Sequence, residues 1–229
     1  MSSSIQASLE FMNLFRQYTT HIRTHKQKFL VLDIGCGYGR NAFLIREYCY
    51  EHNLVPVIIG IDLDKSYLSR SKYHRVYDHL ILANACNLPI KHDSIDIVIL
   101  VEVLEHLPKK KALFLLQELD SILKVRGMSI ITTPHGFQKS PDNPIHGYNV
   151  HRSAWYKREL INLGYTVLMT PLVVKVPIFG YRFYLPYSSL VHAEKKTRML
   201  NLIYFLLGAL VNVFSKIGGK IVAFKIKRE

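Results

Sequence analysis

Short apolar runs and longer amphipathic stretches follow one another along the first 170 residues of the chain. The apolar runs occupy residues 29–34, 56–61, 79–83, 95–101 and 128–133. The run at 95–101 is almost continuously apolar, as expected of a central parallel strand that is buried on both faces. Strands that alternate with helices at this spacing predict a doubly wound α/β sheet.

The pattern changes after residue 134. A loop rich in proline, glycine, asparagine and histidine precedes a predicted helix that Ser153 would cap, and a sixth strand follows at 165–169. Residues 171–190 are rich in aromatic residues and proline, 199–214 are almost wholly apolar, and a last strand is predicted at 220–227. We therefore predict a core over 1–170 that opens with an amphipathic helix at about 4–24, a hydrophobic basic lid over 171–217, and a strand in 218–229 that returns to the sheet.

The net charge of +13 is unevenly distributed along the chain. Residues 1–135 carry a net charge of +3 and residues 136–229 carry +10. This asymmetry favours an anionic partner for the C-terminal part, such as nucleic acid, a phosphorylated substrate or an anionic membrane surface. The alternative is a solvated surface with scattered lysines. We expect solvation to explain the three lysines that begin the helix after Pro108, and the alternative for them is a basic face toward an anionic substrate.

The three cysteines have neither pairing nor metal-ligand spacing, which favours a reducing compartment and argues against a disulfide or zinc framework. We predict no metal site. The first residues lack the pattern of a secretory signal. The sequence therefore predicts a cytoplasmic protein.

A glycine-rich turn follows the first predicted strand. Asp33 precedes glycines at 35, 37 and 39, and a helical pattern follows. Such glycines allow a sharp turn and bring a ligand against the main chain. Arg40 stands where the dinucleotide fingerprint requires its third glycine, and no Walker triplet follows. The remaining pattern, Asp-x-Gly-x-Gly-x-Gly, resembles motif I of the class I S-adenosylmethionine-dependent methyltransferases.

The resemblance covers roughly residues 29–169 and implies a Rossmann-like, seven-stranded sheet that is mostly parallel and has an antiparallel last strand. It implies S-adenosyl-L-methionine as the cofactor, with Asp62 accepting hydrogen bonds from the ribose hydroxyls and Asn84 lying beside the adenine. The alternative for Asp62 is a helix cap. The predicted cofactor-binding set is Asp33, Gly35, Cys36, Gly37, Gly39, Asp62, Leu63, Asn84, Ala85 and Glu102.

The segment that follows the fourth strand, Val-Leu-Glu-His-Leu, resembles the signature of small methyltransferases that act on acceptors other than nucleic acids. Glu102 is expected to face the methionine end of the cofactor, and Glu105 is expected to be structural. The segment 146–155 resembles a stretch that covers the acceptor site in relatives. The candidate general bases are His106, His151 and His146, since an imidazole accepts protons near neutral pH.

The apolar segment 199–214 is shorter than the roughly 20 residues that a membrane-spanning helix needs. It is predicted to be a lid helix over an apolar acceptor or a helix at a membrane interface. We predict a methyltransferase for a small or lipid-linked acceptor, with possible contact to the inner membrane surface. The alternatives are a methyltransferase for RNA or another polyanion, and a non-catalytic protein that binds S-adenosylmethionine.

Overall fold

The computed structural model describes residues 11–20, 28–137, 147–169, 173–175, 182–184 and 220–228. Helix α1 covers residues 11–20. The further helices are α2 (Arg40–Glu51), α3 (Lys65–His74), α4 (Lys109–Ile122) and α5 (Lys157–Asn162), with 3-10 turns at Leu104–His106 and Gly147–Asn149. The strands are β1 (Lys28–Ile34), β2 (Val55–Asp62), β3 (His79–Leu82), β4 (Ile95–Val101), β5 (Leu123–Pro134), β6 (Thr166–Met169), β7 (Val173–Lys175), β8 (Arg182–Tyr184) and β9 (Lys220–Ile226).

Seven strands form one sheet in the order β3-β2-β1-β4-β5-β9-β6. The pairs among β1 to β5 are parallel, and β9 is antiparallel to both of its neighbours. The predicted doubly wound sheet with an antiparallel last strand is therefore confirmed. Strand β5 begins at Leu123, earlier than predicted, because α4 ends at Ile122 rather than near Gly127.

The two faces of the sheet carry separate hydrophobic clusters. Leu32 and Leu100 contribute to one cluster, which also contains the apolar face of α4. The opposite cluster contains Val31 and Ile99, against which α1 places Phe11 and Phe15. The alternation along β1 and β4 follows from the two-residue period of a strand, and both faces are apolar because helices cover both.

The predicted lid falls largely outside the described residues, and so does the apolar segment 199–214. Within 171–217 the structure describes only β7 and β8, which pair as an antiparallel two-stranded sheet. Among the described helices, none is long and apolar enough to cross a membrane. The domain boundaries stay a prediction.

Candidate functional site

The glycine loop 35–39 joins β1 to α2 at the carboxyl edge of the sheet. The main-chain N–H groups of Gly35 and Cys36 both donate to the carbonyl of Ile61, at 2.8 and 3.0 Å. Gly35 has a φ of +71°, and a Cβ there would lie 2.4 Å from Cγ2 of Val103. Gly37 has a φ of +52°, and a Cβ on it would meet no atom within 4 Å. The loop is therefore packed closely against Val103 at Gly35, and it faces open space at Gly37.

Asp62 ends β2 and points its carboxylate at this loop. Its Oδ2 accepts from the Gly37 N–H at 2.9 Å, and its Oδ1 accepts from the Asp64 N–H at 2.9 Å. The cap of α3 is Asp64, whose Oδ1 accepts from the Ser66 N–H at 2.7 Å. The alternative interpretation of Asp62 as a helix cap is therefore wrong.

Asp33 lies behind the glycine loop, in the core. It is fully buried, and the hydroxyl of Tyr77 donates to its Oδ2 at 2.7 Å. Burial raises the pKa of Asp33 to about 7, against the lowering effect of the Tyr77 hydrogen bond. Tyr77 was not identified from the sequence, because an isolated tyrosine in a loop has no recognisable pattern.

A cleft of about 320 Å³ opens at the carboxyl edge of the sheet, and we call it the glycine-loop cleft. Of the predicted cofactor residues, seven line it: Gly35, Gly37, Asp62, Leu63, Asn84, Ala85 and Glu102. Cys36 and Gly39 border an adjacent cleft of about 540 Å³, which shares Gly37 and Glu102 with the first. Asp33 lines neither cleft.

Four side chains outside the predicted cofactor set also line the glycine-loop cleft: Tyr67, Lys111, Asn149 and Arg152. Asn149 and Arg152 belong to the segment 146–155, whereas nothing in the sequence indicated Tyr67. The amide of Asn149 donates to the hydroxyl of Tyr67 at 3.3 Å, which links the segment after β5 to helix α3. On the opposite side, Oδ1 of Asn84 accepts from the Cys86 N–H at 2.9 Å and shapes the turn after β3. Residues far apart in the sequence therefore form the walls of one cleft.

Glu102 follows β4 in a left-handed backbone conformation, with a φ of +57°. The hydroxyl of Thr132 donates to its Oε1 at 3.1 Å, and the ammonium group of Lys220 forms an ion pair with its Oε2. Burial lowers the pKa of Lys220 to about 8. Lys220 begins β9, and its contact with Glu102 could not be inferred from sequence spacing.

Three titratable side chains meet beside the cleft: Glu105, His106 and His151. The two imidazole rings lie with their centroids 5.0 Å apart, and His106 lines the cleft. Glu105 is 3% exposed and accepts from the Thr133 hydroxyl at 3.1 Å. Burial raises the pKa of Glu105 to about 7, whereas burial and the neighbouring His151 lower the pKa of His106. His146, the third predicted base, lies outside the described residues.

Main-chain contacts fix the segment that carries His151. The N–H groups of Arg152 and Ser153 donate to the carbonyl of Glu105 at 2.7 and 3.1 Å. The Ser153 hydroxyl donates to the carbonyl of Leu104 at 3.0 Å. The predicted helix cap at Ser153 is therefore wrong, because this hydroxyl is already used in the turn and α5 begins at Lys157.

Trp155 and Lys109 attach the segment that carries His151 to the start of α4. The indole is fully buried and donates to the Ser153 hydroxyl at 3.0 Å. The ammonium of Lys109 lies 3.5 Å from the centre of the indole ring and donates to the Ala154 carbonyl at 2.6 Å. Solvation alone was therefore the wrong explanation for Lys109, whose half-buried side chain contacts Trp155 and pairs with Glu159.

Comparison with known proteins matches residues 32–131 to the family described as "Methyltransferase domain". A probable S-adenosylmethionine-dependent methyltransferase of Mycobacterium tuberculosis is 33% identical over 123 residues, which are 52% of this chain and 41% of that protein. An uncharacterised protein of Methanocaldococcus jannaschii is 28% identical over 169 residues, which are 73% of this chain and 60% of that protein. The chain spans about half the length of these curated relatives.

The fold also occurs among solved structures. A S-adenosylmethionine-dependent methyltransferase from Archaeoglobus fulgidus superposes with a TM-score of 0.57 at 18% identity. The superposition covers 96% of this chain and 94% of that chain. At this level of identity, the likeness establishes the fold.

Proposed function

We propose that this chain is a class I S-adenosylmethionine-dependent methyltransferase that transfers a methyl group to a small or lipid-linked acceptor. The donor would lie in the glycine-loop cleft. The observation that carries this proposal is the hydrogen bond from the Gly37 N–H to Asp62, which sets a carboxylate beside an open glycine at the mouth of the cleft.

The residues of the cleft fit such a donor. Its volume of about 320 Å³ lies in the range of small-molecule sites. The open space in front of Gly37 would let a ligand approach the main chain, and a side chain there would fill it. Each Asp62 oxygen accepts one main-chain hydrogen bond and keeps further acceptor capacity for ribose hydroxyls.

The remaining cofactor roles follow from position along the cleft. Asn84 and Ala85 come from the turn after β3 and would face the adenine, whereas Glu102 comes from the turn after β4 and would face the methionine end. Glu102 would be held in place by Thr132 and Lys220. Cys36 and Gly39 would support the loop from the adjacent cleft, and Asp33 from the core.

S-adenosylmethionine supplies an activated methyl group on a sulfonium, so the chain has to orient the acceptor and remove its proton. We place the reacting atom of the acceptor near His106 and His151, where an imidazole nitrogen would accept that proton. Lys111 and Arg152 line the same cleft and would favour an acceptor with an anionic group. A phosphorylated or lipid-linked acceptor has such a group, and contact with an anionic membrane surface would present it.

The test is methyl transfer from donor labelled in the methyl group to fractionated cell extract. We expect label in the lipid or small-molecule fraction, and its absence when Asp62→Ala replaces the wild type. Label in the RNA fraction, together with a steep fall of binding as the salt concentration rises, would show that the acceptor is a polyanion and not a small or lipid-linked molecule. Donor binding without label in any fraction would favour a non-catalytic protein that binds S-adenosylmethionine.

A further inference from the structure

Glu105, His106 and His151 form a cluster whose ligand atoms all lie within 4.8 Å of one another. One carboxylate oxygen and two imidazole nitrogens are therefore close together beside the glycine-loop cleft, which His106 lines. We propose that these three residues bind a divalent transition-metal ion. The spacing of the three cysteines predicts no metal site, and this cluster contains no cysteine. His151 lies far from the Glu-His pair in the sequence, so the cluster has no local pattern.

The ligand atoms are near enough to share one ion after their side chains adjust. Bonds of about 2.0–2.2 Å from zinc to nitrogen or oxygen at tetrahedral angles place two ligand atoms about 3.3–3.6 Å apart. The ligand atoms of the three residues all lie within 4.8 Å of one another, so binding would require pairs of them to approach by up to about 1.5 Å. Rotation about the side-chain torsions of the two histidines and the glutamate would supply this approach.

Neighbouring groups already orient two of the three ligands. Nδ1 of His106 lies 3.4 Å from the carbonyl oxygen of Val150, which can only accept. A hydrogen bond there requires the proton on Nδ1 and would leave the lone pair of Nε2 for a metal ion. The Thr133 hydroxyl donates to Oε2 of Glu105. Metal-binding histidines and carboxylates in proteins commonly have outer partners of this kind.

The main chain fixes the third ligand relative to the other two. The Arg152 and Ser153 N–H groups donate to the carbonyl of Glu105, so the segment that carries His151 is attached to the turn that carries the other two ligands. This attachment also explains how a glutamate that is 3% exposed can face two imidazoles. A cation at the centre would compensate the buried carboxylate.

The donor set decides the class of ion. Two imidazoles and one carboxylate suit zinc, iron, cobalt or manganese, whereas magnesium prefers oxygen ligands alone. Three protein ligands leave at least one coordination position open, as in catalytic metal sites. Because His106 lines the glycine-loop cleft, that position would face the cleft and would take an oxygen atom of the acceptor.

Binding of the ion is independent of the proposed methyl transfer. Its role in catalysis, in contrast, rests on the proposed function. A hydroxyl bound to a divalent ion has a lowered pKa and releases its proton to water more readily. Its oxygen would then take the methyl group from the sulfonium, which becomes a neutral thioether. The ion would replace the imidazole base proposed above, since a coordinated nitrogen no longer has its lone pair for a proton.

The test measures metal binding directly on the full chain, prepared without a polyhistidine tag and stripped with a chelator. Zn²⁺, Mn²⁺ and Co²⁺ are each titrated by calorimetry, and the bound metal is counted by elemental analysis. The variants are His106→Ala, His151→Ala and Glu105→Gln, with His92→Ala as the matched control on an exposed turn. Thermal unfolding of every variant separates loss of the site from loss of the fold.

We expect one ion per chain and at least a tenfold loss of affinity in each of the three ligand variants, with His92→Ala unchanged. Thr133→Val keeps all three ligands and is expected to weaken binding about 10- to 100-fold, as loss of an outer partner does. An ion that binds His151→Ala as tightly as the wild type would overturn the proposal, and so would a folded wild type that binds none of the three ions. Separate titration with S-adenosylhomocysteine distinguishes failure of this site from failure of the donor site.

Discussion

The main-chain N–H of Gly37 donates to the carboxylate of Asp62 at 2.9 Å, and this bond joins the loop after β1 to the end of β2. It fixes a carboxylate at the point where two neighbouring parallel strands end. Ligands of open α/β sheets bind outside these strand ends. The bond therefore gives the most direct test of where the donor lies.

Asp62→Ala should weaken binding of S-adenosylhomocysteine by about 1.5–3 kcal/mol, or roughly ten- to a hundredfold, because hydrogen bonds to a charged group are lost. Calorimetric titration measures the change. Asp64→Ala is the matched control, since it removes the cap of α3 and should lower the free energy of unfolding by about 1 kcal/mol without loss of affinity. Equal affinities of Asp62→Ala and wild type would refute the ribose assignment.

Gly37→Ala and Gly35→Ala should distinguish two reasons for a glycine, namely room for the ligand at Gly37 and close packing within the protein at Gly35. Both place alanine in a left-handed conformation, which costs about 1–2 kcal/mol. Gly37→Ala should also lose donor affinity, because its methyl group enters the open space of the cleft. Gly35→Ala should lose a further 1–3 kcal/mol of stability, since its methyl group would overlap Val103.

The control for Gly35 is the double variant Gly35→Ala/Val103→Ala, in which the overlapping methyl group of Val103 is gone. Chemical denaturation should show that Gly35→Ala costs less in this background than in the wild type. If Gly35→Ala lowers the free energy of unfolding by the same amount in both backgrounds, contact with Val103 does not explain why residue 35 is a glycine.

The buried Asp33 should make stability fall as pH rises. Its pKa is about 7 in the folded protein against an ordinary value of 3.8, so between these values the folded state holds a proton that the unfolded state has lost. The stabilising effect is complete below about pH 4 and is lost as pH rises through 7. Asp33→Asn removes the titrating group. The melting temperature of the variant minus that of the wild type should therefore increase from pH 5 to pH 8.

Tyr77→Phe provides the second arm of this test. The Tyr77 hydrogen bond lowers the pKa of Asp33, so its removal should shift the pH-dependent loss of stability to higher pH. A difference in melting temperature between Asp33→Asn and wild type that does not change with pH would contradict the raised pKa.

Lys220 and Glu102 should be energetically coupled. Their side chains are 10% and 21% exposed, and removing one charge leaves the other poorly solvated beside the cleft. A double-mutant cycle with Lys220→Met and Glu102→Gln, read by urea denaturation, should give a coupling free energy of about 0.5–3 kcal/mol. The pair Lys227–Asp93, with Asp93 67% exposed, is the control and should give a smaller coupling free energy, because solvent screens an exposed pair. Equal coupling in the two pairs would be the contrary result.

Local patterns sufficed to predict the sheet and a set of cofactor residues of which most lie together in one cleft. The turn with Gly35 and Gly37 and the acidic end of β2 are each encoded within a few residues of a strand end. Seven of the ten predicted cofactor residues line one cleft for this reason. The exceptions are Cys36 and Gly39, which line the adjacent cleft, and Asp33. Asp33 lines neither cleft, because an aspartate at the end of a strand can face the core as readily as the cleft.

Contacts between distant segments could not be predicted. Ser153 was expected to cap a helix, but its hydroxyl donates to Leu104 in a turn that precedes it by many residues. Lys109 was expected to be solvated, but the indole of Trp155 lies beneath it. Such side chains choose between local and tertiary partners according to the final packing, which spacing along the chain does not reveal.

In the proposed function, the glycine-loop cleft binds the methyl donor. Calorimetric titration of the folded wild type with S-adenosylmethionine and S-adenosylhomocysteine measures this binding without any assumption about the acceptor. We predict that both bind at one site per chain with micromolar dissociation constants. A well-folded protein that binds neither would contradict the account, and the glycine loop would then serve another ligand.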